Sequence, residues 1–155
     1  MDRTADLPRA NRPGRRAGRI LTWVFLVAAC SSPTTVRVTK WEGTLVPDPP
    51  STVTGQVAAV SQFGRTEISL QLEDGERGTI YAWRVDSGDC EGNGLIKGGV
   101  AQYPPVVPAE GGTGSAHTAI AGMFDPDGEY AARVFLPGEG GSEQVLACGE
   151  LHPVQ

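Results

Sequence analysis

No stretch of this sequence reaches the roughly 20 consecutive apolar residues that a membrane-spanning helix needs. The longest apolar run is ILTWVFLVAA (20–29), ten residues with only Thr22 polar. Histidine is nearly missing: His117 and His152 are the only two in 155 residues. That leaves little material for imidazole-rich metal centres or histidine-based acid–base chemistry. Strong helix formers are sparse too, while 21 glycines and 12 prolines punctuate the chain. Such a balance favours short strands joined by many turns. The hydrophobic fraction of 39% still suffices for a core, and the length suits a single domain able to fold alone.

The N-terminus reads as a targeting segment. Residues 1–19 hold six arginines, the apolar run follows, and small residues end it. Basic region, short apolar region and small-residue end describe a secretory signal peptide over 1–29. Arg15 and Arg16 supply positive charge that stays on the cytoplasmic side. VAAC (27–30) resembles the bacterial lipoprotein signature, an aliphatic residue and two small ones before cysteine. That resemblance implies cleavage before Cys30, lipid on Cys30, and a tether over 30–40. Two or three acyl chains anchor a protein firmly. The chain is thereby expected in the bacterial cell envelope, facing the periplasm or the exterior.

Losing residues 1–29 removes six of the 13 basic residues and two of the 18 acidic ones, leaving seven and 16, a formal net charge of −9. An acidic surface repels phosphate, so no nucleic-acid partner is expected. Three cysteines are present, and lipid on Cys30 leaves Cys90 and Cys148. In an oxidising compartment these two read as a disulfide, with two free buried thiols as the alternative.

Beyond the tether, strands are expected over 36–47 (with a possible break at Gly43), 53–60, 66–72, 79–86, 115–124, 130–136 and 143–151. TEISLQL (66–72) alternates strictly, the pattern of a half-buried strand. Residues 87–114 form a long Gly- and Pro-rich segment with a little strand potential near Val100. Seven or eight short strands and no helix of normal length predict an all-β fold. Its class is an antiparallel Greek-key β-sandwich or flattened barrel over 41–151, followed by a tail at 152–155. Along GTIYAWRVD (78–86), Tyr81, Trp83 and Val85 form a core face. Arg84 and Asp86 share the other face.

The pieces Trp83, Cys90, YPP (103–105), YAARVF (130–135) and ACGEL (147–151) together resemble the copper/zinc superoxide dismutase superfamily, in particular its bacterial exported members. The resemblance implies a Cys90–Cys148 disulfide. It also places the family's paired strand ligands at Arg84 and Asp86 and a late-strand ligand at Phe135. None is histidine here. Arginine stays protonated and phenylalanine has no lone pair, so no metal or other cofactor is expected. Arg84 and Asp86 are then expected as a same-face ion pair or as rim charges.

Other candidates are weaker. DPDGE (125–129) is read as a turn rather than a calcium loop. GEGGSE and GGTGS lead into no helix that would make a phosphate cradle. Ser115 and His117 share a strand face but lack an orienting acid and a nucleophile elbow. Trp41, Trp83 and Tyr81 are read as core. No catalytic residue is assigned. The expected function is a non-catalytic, membrane-anchored lipoprotein whose sandwich serves as a binding or structural module for an envelope protein or glycan. The alternative is a superoxide dismutase or copper-binding protein with a rearranged site.

Overall fold

A computed structural model describes residues 38–92, 94–137 and 143–154. The expected signal segment 1–29, the expected lipidation site Cys30 and the expected tether as far as residue 37 lie outside the described residues. Among the described residues seven strands form: β1 (Thr39–Pro47), β2 (Thr54–Gln62), β3 (Arg65–Glu73), β4 (Ala82–Ser87), β5 (Gly114–Ala121), β6 (Tyr130–Pro137) and β7 (Glu143–Val154). They join in one sheet of order β4-β6-β7-β1-β2-β3-β5, with every neighbouring pair antiparallel. The all-β expectation and the short-strand spacing are met.

The sheet curls, and residues 95–109 lie between its two edge strands. On the β4 side, Ser87 N donates to Leu95 O (2.9 Å), Lys97 N to Val85 O (2.8 Å), and Tyr81 and Val106 exchange two backbone bonds of 2.9 Å. On the β5 side, Thr118 Oγ1 donates to Gln102 O at 2.6 Å. Trp83 Nε1 adds a bond to Pro104 O at 2.7 Å. The segment thus satisfies backbone groups along the β4 edge that an open sheet would expose, and is tied to β5 through the Thr118 side chain. Its regular element is not the strand expected near Val100 but a 3₁₀ turn, Val100–Gln102. Prolines at 104, 105 and 108 deny the ladder donors that a continuous strand would need.

One core fills the curl, with Trp41, Ile68, Leu70, Val85 and Val134 fully buried. Trp41 meets Phe124 edge-on at 5.3 Å, and Phe124 stacks on Tyr130 at 4.1 Å. Each of the three tyrosines also ties a loop through its hydroxyl. Tyr81 accepts from Glu76 N (2.8 Å), Tyr130 from Asp125 N (2.6 Å), and Tyr103 donates to Lys97 O (2.6 Å).

Strand ends shift by up to about three residues from the sequence reading, β4 starting at Ala82 rather than 79 and β5 stopping at Ala121 rather than 124, and two further differences touch β1 and β7. β1 does not break at Gly43. A side chain there would stand 2.5 Å from Glu150 O, so glycine is what lets β1 approach β7. β7 runs on to Val154, so His152, expected in a tail, is on a strand opposite Glu42.

Candidate functional site

Arg84 and Asp86 point away from the core on β4 because Trp83 and Val85 point into it. Register places Arg84 opposite Arg133 of β6, Asp86 opposite Ala131, and Ala82 opposite Phe135. Arg84, Asp86 and Phe135 therefore share one outer patch. Two arginines directly opposite each other would repel, and Asp86 resolves this. Arg84 Nε donates to its two oxygens at 3.1 and 3.2 Å, and Arg133 Nη1 donates to Oδ2 at 2.5 Å. Arg84 Nη1 reaches Glu143 at 2.5 Å, and the guanidinium lies 4.9 Å from the Phe135 ring centroid. Two cations and two carboxylates give the cluster no net charge.

The ion pair is as expected, but its setting is not. Asp86 is 1% exposed, so these are not rim charges. Arg133 Nη2 donates to the carbonyls of Asp89 (2.9 Å) and Gly92, drawing the loop after β4 over the patch. An isolated bridge between Asp86 and Ile96 closes another side. Burial alone lowers the pKa of Arg84. The hydrogen bond to Glu143 and the charge and hydrogen bonds of Asp86 outweigh it, and the guanidinium ends above its ordinary value. The Tyr103 phenol is pushed up to about 12, first by burial and further by the Asp86 charge, against a lowering contribution from the backbone at Val85.

Cys90 and Cys148 form a disulfide, 58 residues apart in sequence, with Cα atoms 5.8 Å apart. Cys148 is opposite Arg133 on β7. The loop carrying Asp89, Cys90 and Gly92 is therefore held twice, covalently to β7 and by the Arg133 guanidinium. Beside the disulfide lies a surface groove of about 620 Å³, lined by Thr44, Val46, Cys90, Val145, Glu150 and His152 among others. Val46 is 64% exposed there.

Arg133 is a participant that the sequence reading did not single out. The signal for it is a lone cation within AARVFL, a strand otherwise apolar and buried on both faces. A charge in that setting demands a partner.

The remaining candidates stay apart. His152 and His117 lie at opposite ends of one row across the sheet, through Glu42, Ala58 and Ser69. Four strand spacings separate them, roughly 19 Å. Ser115 and His117 are both exposed on one face of β5, opposite Gln71 and Ser69. DPDGE makes a turn, with Gly128 N donating to Asp125 O at 2.9 Å and Asp127 N to Asp125 Oδ1 at 3.1 Å. GGTGS leads into β5 and not into a helix, and residues 138–142 lie outside the described residues. Among the described residues, no three His, Cys, Asp or Glu side chains gather closely enough to hold an ion. No protein-family model matches the chain, and no curated protein matches it.

Proposed function

We propose that this chain is a lipid-anchored bacterial envelope protein built on a superoxide-dismutase-like Greek-key barrel, with no catalysis, acting as a binding or structural module. The strand order and a disulfide between the loop after β4 and the ACG segment of β7 support that ancestry. So does the placement of Arg84, Asp86 and Phe135 on one outer patch.

The observation that carries the loss of catalysis is the state of Asp86. It is the single ligand-capable side chain of the three positions. Its carboxylate is 1% exposed and already accepts from two guanidinium groups. Copper or zinc would have to displace Arg84 and Arg133 and then sit beside two fixed cations, which electrostatics opposes. These residues do not fit the family's metals. A rearranged copper site meets a different obstacle, the three strands that lie between the two histidines.

The envelope partner is best sought at the groove beside the disulfide, the concave feature next to the closed patch. Its mixture of Val46, Val145 and Thr44 with Glu150 and His152 suits a peptide or glycan segment. Metal loading tests the reading. The processed chain is offered copper and zinc, cleared of excess ions, and assayed for bound metal and dismutation. Less than about a tenth of an ion per chain is expected. A stoichiometric ion with activity would overturn the reading.

A further inference from the structure

The β2–β3 hairpin turns through two residues, Phe63 and Gly64, since Gln62 and Arg65 are already paired. Both have positive φ, 51° and 77°. A turn of this type favours Asn or Asp followed by Gly, and an aromatic residue at its first position works against local preference. Phe63 is also 75% exposed. Neither the turn nor the core accounts for it.

Phe63 has company. Gly122 N donates to Gly64 O at 2.8 Å, which brings Met123, 42% exposed, beside the hairpin. Val38 (47% exposed) precedes the start of β1, where Thr39 pairs with Ser61, and Val154 (42% exposed) pairs with Lys40. Four exposed apolar side chains thus rim one end of the barrel. The chain from Cys30 enters at that same end. Seven residues lie between Cys30 and Val38, and the eight steps from one to the other span at most about 28 Å of extended chain.

We propose that this end, led by Phe63 and Met123, rests on the bilayer and inserts those side chains at the lipid interface. The proposal depends on the reading of Cys30 as the lipidated residue. The short tether holds this end within reach of the membrane and raises its local concentration there. The net charge of −9 and the presence of Asp125 and Asp127 next to Met123 make the contact apolar, suited to zwitterionic lipid.

The test uses the processed chain reconstituted in phosphatidylcholine vesicles with brominated acyl chains. F63W, with M123W as a second variant, should lose about half or more of its added tryptophan emission to bromine, as insertion of 5–10 Å brings contact. I80W is the control, since Ile80 is 57% exposed before β4 at the opposite end, and its emission should be unchanged. The same sample is checked by mass for acylated Cys30. Acylated chain with unquenched F63W and M123W overturns the docking and leaves the anchor standing. Chain without acyl groups overturns both. Quenching that requires anionic lipid contradicts the apolar contact.

Discussion

Arg133 of β6 donates to Asp86 of β4 across the ladder, a 2.5 Å contact between side chains 6% and 1% exposed. The pair joins two strands, and Arg133 carries the connection on to the loop that Cys90 fastens to β7. Removing one partner of a buried pair leaves the other charge uncompensated, so Arg133→Met should destabilise the fold by about 3 kcal/mol in urea denaturation. Arg84→Met should cost about 1 kcal/mol, because Asp86 keeps Arg133 and the Glu143 contact is half in solvent.

Reduction of the disulfide, or the paired change Cys90→Ser and Cys148→Ser, should cost about 4 kcal/mol from the loop it closes. Arg133 still holds the loop after β4, so limited proteolysis should find it only modestly more accessible. Adding Arg133→Met to the reduced form should open it to cleavage.

Tyr103 gives a pH signature. Its phenol has a pKa of about 12 in the fold against an ordinary value of 10.0. Between these values the unfolded chain releases a proton that the folded chain keeps. Its contribution is therefore full below pH 10 and lost as pH rises toward 12, by at most about 2 kcal/mol after solvent screening is discounted. Tyr103→Phe should flatten that slope in denaturation curves taken from pH 9 to 12.

The close approach of β1 and β7 depends on two glycines. A Cβ at Gly43 would stand 2.5 Å from Glu150 O, and one at Gly149 would stand 2.5 Å from Thr44 O. Gly43→Ala should cost about 2 kcal/mol, and amide exchange should quicken in β1 and β7 before it does in β3.

Local patterns were readable in the sequence. TEISLQL alternates, and the structure buries Ile68, Leu70 and Leu72. Two cysteines left after Cys30 pointed to the bridge that forms. The i, i+2 spacing of Arg84 and Asp86 put them on one face, where they pair. The burial of Asp86 was not readable, because it depends on Arg133, 47 residues further on, and on a loop folded over the patch. The row containing both histidines likewise emerges only from the registers of five strands, β7, β1, β2, β3 and β5. Alternation fixes which face a residue occupies, while strand order decides what stands next to it.

Asp86 is a closed structural charge, 1% exposed and paired with Arg84 and Arg133. A double-mutant cycle between Asp86→Asn and Arg133→Met, read by urea denaturation with and without added copper and zinc, addresses this most directly. A coupling of about 2 kcal/mol or more is predicted, with wild-type midpoints unmoved by either ion. Coupling near zero, or a wild-type midpoint that rises with metal and loses that rise in Asp86→Asn, would contradict it.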